Sequence, residues 1–255
     1  VISNPLGEDY SIMRTISLNG MLTSLATNYS RRNKNVRLYE MANIYIPKEL
    51  PLKELPDERM QLTLGMYGGC DFYDIKGVVE TILNKCQMRE KILFEVRDVK
   101  PFLHPGRQAD IIYKDTVIGY IGEVHPEVCG NYSIKDKAYA AVIDMRYVEE
   151  YAAFDIKYEG IPKYPAVTRD ISLVMDKSVL AGEVEAVICK KGGKLLEKCE
   201  LFDVYEGDRL EEGKKSLAYS IRFRDSERTL EDKDVNEVMD KIIEALKSIG
   251  AELRS

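Results

Sequence analysis

Between Asp170 and Arg254 the hydrophobic period switches back and forth between two residues and about three and a half, and the order of the switches leaves few folds open. Strand-like stretches are read at Asp170 to Met175, Leu195 to Tyr205, Ser216 to Phe223 and Ala251 to Arg254, with helical stretches at Ala181 to Lys191 and Leu230 to Ile249. The second helix has the strongest signal. Val235, Val238, Met239, Ile242, Leu246 and Ile249 form one apolar stripe, Thr229 and Asp232 read as a capping pair, and Gly250 stands where a helix stops. The order β-α-β-β-α-β predicts a ferredoxin-like four-stranded antiparallel sheet with both helices on one side.

The rest of the chain reads as a separate α+β domain. Leu38 to Ile46 alternates apolar and polar residues, and Gln61 to Met66 follows a Pro-rich loop. Ile75, Val78, Val79, Ile82, Leu83 and Cys86 recur at helical spacing. A strand is expected near Ile92 to Val96, then the loop PFLHPGR, then a hairpin pairing Ile111 to Tyr113 with Val117 to Ile121. YAAFDIKYEGIPKYP, with no sustained period, reads as a linker, so the expected domains are residues 1–155 and 162–255. Val1 is not a natural start, and the chain is expected to be part of a longer one.

Composition narrows function mainly by exclusion. With net charge -6 the chain lacks the overall basic field of a free-standing nucleic-acid binder, and residues 161–255 carry 17 Lys and Arg against 20 Asp and Glu. Any RNA contact must therefore be local. The five cysteines form no CxxC pair and are expected to be reduced core thiols of a cytoplasmic protein; no metal site, signal peptide or membrane span is expected. His104 and His125 each precede a proline, which favours loop packing over catalysis, and no catalytic residue is assigned. Glu231, Asp232 and Asp234 suit a helix N-terminus.

One strand face is chemically distinctive. In SLAYSIRFR the residues Leu217, Tyr219, Ile221 and Phe223 share a face that must pack under the helices, leaving Ser216, Ala218, Ser220, Arg222 and Arg224 on the other. In CELFDVY, turning Phe202 and Val204 inward puts Leu201, Asp203 and Tyr205 on that open face. Small residues leave room for a flat base, Tyr205 can stack on it, Asp203 can accept from a guanine edge, and Arg222 can meet phosphate. Solvent exposure or docking against protein would explain the same pattern, and both readings stay open.

Several segments together resemble the phenylalanyl-tRNA synthetase β-subunit family. They are NPLGEDYSIMRTISLNGMLTSLATNYSRR, LYEMANIY, DFYDIKGVVETIL, FLHPGRQADI, IGEVHPEV, KYPAVTRDISLVMD, LFDVYEG, GKKSLAYSIRFRDSERTLEDKDV and the terminal GAELR. The resemblance implies a first domain with the antiparallel-sheet fold of class II synthetase cores that has lost catalysis and supports a catalytic α subunit. Arg14 falls in a stretch resembling those cores, yet the glycine-rich segment ending in the ATP-binding arginine is not found, so no ATP site is expected. For the second domain the resemblance implies a ferredoxin-fold module that binds the anticodon of phenylalanine tRNA through Asp203, Tyr205, Ala218, Ser220, Arg222, Arg169 and Asp170. Arg169 also reads as a structural ion-pair partner, and Arg222 as a partner for a carboxylate on a neighbouring strand. The implied setting is a cytoplasmic α2β2 ligase in which ATP and Mg2+ act at the α subunit; upstream tRNA-elbow, editing and metal-binding modules are expected before Val1. The alternatives are a protein-docking module without RNA contact, or a class II-like core with its own ATP-dependent activity.

Overall fold

Two antiparallel sheets organise the chain, one in each of two compact units, Val1–Lys157 and Tyr158–Ser255. The computed structural model describes all residues except Val1, Asp9, Tyr10, Arg89, Phe154, Ile156, Lys157, Glu159, Arg209 and Ser255. The expected linker therefore lies partly outside the described residues.

In the first unit, β1 (Val36–Ile46), β2 (Asp57–Tyr67), β3 (Leu93–Glu95), β4 (Leu103–Tyr113), β5 (Thr116–Val124) and β6 (Ala138–Asp144) form a sheet of order β1-β2-β6-β5-β4-β3. Every neighbouring pair is antiparallel. Alternation along β2 explains how the sheet is covered. Leu62, Leu64 and Met66 join the core under α2 (Phe72–Lys85), whereas Tyr67 joins the one under α1 (Leu18–Ser30). Between them Gly65 lets α1 approach, since a Cβ there would lie 2.5 Å from Met21 Cγ. The start of α1 is tied down by a buried chain in which Thr63 donates to Ser17 (2.6 Å) and Ser17 to Gln61 (2.7 Å). Two short helices, α3 (Pro126–Asn131) and α4 (Met145–Tyr151), complete the unit. The β4–β5 hairpin turns on Lys114 and Asp115, both at positive φ (48° and 62°), as a tight two-residue hairpin turn requires. PFLHPGR is not wholly a loop: β4 begins at Leu103 and passes through it, with its register shifting before Gln108.

The second unit has β7 (Val167–Asp176), α5 (Ala181–Gly192), β8 (Leu196–Tyr205), β9 (Lys214–Phe223), α6 (Asp232–Lys247) and β10 (Glu252–Leu253). Its sheet has the order β10-β7-β9-β8, with β8 at one edge. Leu217, Tyr219, Ile221 and Phe223 pack with Ile171, Leu173 and Met175 against Val184 and Ile188 of α5 and Val235, Met239, Ile242 and Leu246 of α6. Both helices therefore cover one face of the sheet.

The cap of α6 differs from the expected Thr229–Asp232 pair. Glu231 is the N-cap, and its backbone N–H donates to Asp234 at 3.0 Å. The reason is Leu230: it is buried with Val235 in the core, a hydrophobic staple that sets the first turn after Glu231. Arg228 makes two further bonds to Asp234 (2.7 and 2.8 Å) and, with the Glu231 N–H, holds that carboxyl down to about 2. Among the described residues no helix is long and apolar enough to cross a membrane, and no group of three or more His, Cys, Asp or Glu could hold a metal ion.

Candidate nucleic-acid interface

The uncovered face of the second sheet gathers most of the residues singled out by sequence. Directly paired residues share a face, and β9 pairs Ala218 with Ser172 and Asp203, Ser220 with Asp170 and Glu200, and Ser216 with Val174 and Tyr205. Asp203, Tyr205, Ala218, Ser220 and Asp170 are thus neighbours on one surface. Ser220 Oγ donates to Asp170 at 2.7 Å.

The route β8 takes to that arrangement was not anticipated. Leu201 pairs with Tyr219 and Asp203 with the very next residue, Ala218, so an extra residue, Phe202, is inserted and the alternation slips by one. Leu201 consequently lies on the helix-side face instead of the open one. Phe202, expected inward, is 60% exposed, and Val204, although it pairs with Leu217, is 53% exposed because β8 is the sheet edge. A second slip precedes Lys198 and leaves Glu197 unpaired in the ladder. Glu197 uses that position to bind Arg222 Nε at 3.0 Å and Arg224 Nε at 2.9 Å.

The surface falls into two zones. Arg222 is four residues along β9 from Ala218, about 13 Å away at strand rise, so no single base reaches both Asp203 and Arg222. A short run of nucleotides spans them. Arg169 stands apart from both zones: it pairs with Ile221 on the helix side and its guanidinium bonds Asp232 in the first turn of α6 at 2.6 Å.

Sequence reasoning passed over Arg254. Its N–H donates to Ser172 O at 2.8 Å, which extends the β10 edge, and its guanidinium lies 5.3 Å from the centre of the Tyr205 ring. Beneath this pair Ser216 is only 3% exposed, although no helix covers that side. Gly207 completes the setting, since a Cβ there would come within 2.5 Å of Tyr205 Oη. Tyr205 is therefore held flat over a floor of small residues by a cation and a glycine. The only sequence signal for Arg254 was its place at the end of a strand whose pairing was unknown.

The first unit offers a different kind of site. A cleft of about 220 Å³ is lined by Arg59, Gln61, Lys100, Asp110, Tyr120 and Asp144 among others. Its charges are already matched: Arg146 binds Asp144 at 2.7 Å, and Lys100 binds Asp98 at 2.6 Å and Asp110 at 3.4 Å. Arg14 is similarly committed, to Glu40 at 2.6 Å and to Asn43 O at 2.8 Å. His104 and His125 each accept a backbone N–H two residues ahead, from Gly106 and Glu127, which are local turn roles.

Residues 1–145 match the family model described as "Phenylalanyl tRNA synthetase beta chain CLM domain", and residues 162–254 match "Ferredoxin-fold anticodon binding domain". The chain belongs to the phenylalanyl-tRNA synthetase β-chain family. Curated relatives agree: the phenylalanine–tRNA ligase β subunit of Clostridium acetobutylicum is 46% identical over 99% of this chain, and that of Bacillus subtilis 38% over 97%. The chain spans about a third of the length of these relatives, 32% in both cases. Among solved structures, the pyrrolysyl-tRNA synthetase of Desulfitobacterium hafniense overlays on 53% of this chain and 48% of its own, with TM-score 0.43 and 14% identity.

Proposed function

We propose that this chain is a tRNA-binding and scaffolding segment of a phenylalanine–tRNA ligase β subunit, in which residues 162–255 hold the anticodon and residues 1–155 support a catalytic α subunit. The observation that carries the reading is the Tyr205–Arg254 pair beside Asp203 over the Ser216 and Ala218 floor, in a domain of the anticodon-binding family. A carboxylate next to a flat aromatic is the chemistry that accepts from a guanine Watson–Crick edge while the base stacks. Ser220, Asp170 and Arg222 extend the surface toward the neighbouring nucleotides, and Arg169 acts from below by anchoring β7 to α6 through Asp232.

The partners in this reading are the α subunit, phenylalanine tRNA and a second αβ pair in a cytoplasmic α2β2 assembly. ATP and Mg2+ belong to the α subunit. The residues of this chain do not fit them, because the glycine-rich ATP-binding segment is not found and the Arg, Lys and Asp groups of the first-unit cleft are engaged with one another. A second reading, protein docking by the edge of the second sheet, is favoured by the exposure of Leu201 (41%), Phe202 and Val204.

The test is an NMR titration of the full chain with a phenylalanine tRNA anticodon stem-loop and with a loop whose first anticodon base is no longer guanine. Shifts at Asp203, Tyr205, Ala218 and Arg254 that weaken with the altered loop support the reading. Shifts confined to Leu201, Phe202 and Val204, or none, overturn it.

A further inference from the structure

In a chain of net charge -6, unpaired positive charge is concentrated at one end of the first sheet. Arg31, Arg32, Lys34 and Arg37 lie between the last turn of α1 and the start of β1, and Lys135 and Lys137 flank the entry to β6. All six are exposed, and among the described residues none has an ion-pair partner. Elsewhere cations such as Arg14, Lys76, Arg107, Arg146 and Arg228 are matched to carboxylates.

The fold builds this cluster from two separate loops. Val36, Tyr67 and Ala138 are in register across β1, β2 and β6, so the residues just before β1 and β6 emerge within about 10 Å of each other. The loops are locked together. Tyr67 Oη donates to Asn33 O at 2.8 Å, Tyr29 packs edge-on against Tyr67 with ring centres 5.5 Å apart, and Gly68, at φ 77°, lies so close that a Cβ would meet Lys34 O at 1.9 Å. The nearby carboxylates are few and occupied. Asp136 accepts from Tyr29 Oη at 3.4 Å, while Asp71 and Asp74 cap the start of α2.

We infer that this end of the first unit is a second RNA-contacting surface, one that binds the phosphodiester backbone without reading bases. The choice of RNA as the polyanion rests on the tRNA-binding reading above; the presence of a polyanion site does not. The composition fits phosphate rather than an acidic protein segment. No large apolar residue is exposed in either loop, whereas protein interfaces have an apolar, charge-depleted centre, and Ser30, Asn33, Asn35 and Ser133 supply neutral groups that bond phosphate oxygens. The surface adds the backbone attraction that residues 161–255, with 20 acidic against 17 basic groups, cannot provide alone.

The test uses the whole chain and a short RNA duplex without a loop, followed by fluorescence anisotropy over a salt series. Wild type is expected to bind at low salt. The triple variant Arg31→Gln/Lys34→Gln/Lys137→Gln, its fold checked by circular dichroism, is expected to show a salt dependence shallower by about 2 in log–log slope. Asp203→Ala/Tyr205→Ala should bind the duplex like wild type and lose only the distinction between anticodon loops. Loss of slope in the triple variant with loop discrimination intact in the double variant would uphold this surface and sink the anticodon assignment. An unchanged slope in the triple variant, no duplex binding by wild type, or displacement of RNA by polyglutamate at matched charge would overturn the inference, the last in favour of an acidic protein partner.

Discussion

Replacing Glu197 with Gln tests whether Arg222 is held in reserve for phosphate. Glu197 bridges Arg222 and Arg224 at 3.0 and 2.9 Å, and the three side chains are 32%, 47% and 16% exposed respectively. The better buried bond, to Arg224, goes from charge-assisted to neutral in the variant, a loss of about 1 kcal/mol. The Arg222 bond is open to solvent and contributes between zero and about 1 kcal/mol. Melting of the second unit is therefore expected to fall by about 4–8 °C for each kcal/mol lost. RNA binding should move the opposite way. With its carboxylate partner neutralised, Arg222 is free to meet a phosphate, so the log–log salt slope for an anticodon hairpin should steepen by about 0.7, the value for one more single-strand phosphate contact. Melting curves and anisotropy titrations on the same preparation measure both. A lower melting temperature with an unchanged slope would show that Arg222 faces no phosphate and that the Glu197 bridge is structural only.

Three further outcomes follow from the same geometry. Gly207→Ala should weaken binding of the guanine-containing loop without unfolding the chain, because its Cβ would push on the Tyr205 hydroxyl; hairpin titration with a thermal melt as control checks it. Gly65→Ala should destabilise the first unit by about 1–3 kcal/mol in urea unfolding, since the new methyl would meet Met21 Cγ at 2.5 Å. Asp234 titrates near 2 instead of 3.8, so its contribution to stability is complete above about pH 4 and is lost as pH falls toward 2; Arg228→Ala should raise the midpoint observed by carboxyl-carbon NMR.

The helices of the second unit were legible because their stripes are long and one-sided: Val235, Met239, Ile242 and Leu246 all reach the core. β6 was not, because it lies between two helix layers and Ala138 to Ile143 is buried throughout, which removes the alternation that marks a strand. The β8 slip was invisible for another reason. A one-residue bulge leaves composition unchanged but reverses the face of every residue on one side of it, so Leu201 was placed on the wrong face while Asp203 and Tyr205 were not. Arg169 meeting Asp232 and Arg254 meeting Tyr205 depend on strand order, and neither contact has a local signature.

The two slips in β8 also protect the protein from itself. This strand is the free edge of its sheet and carries Leu201, Phe202 and Val204 in the open, a composition that invites another chain to add on and seed aggregation. Each extra residue interrupts the row of backbone donors and acceptors and increases the local twist, while the exposed Lys198 and Glu200 charge the stretch between the slips. A straight β8 would leave an unbroken ten-residue template, whereas the bulged strand offers an incoming edge only short segments to pair with.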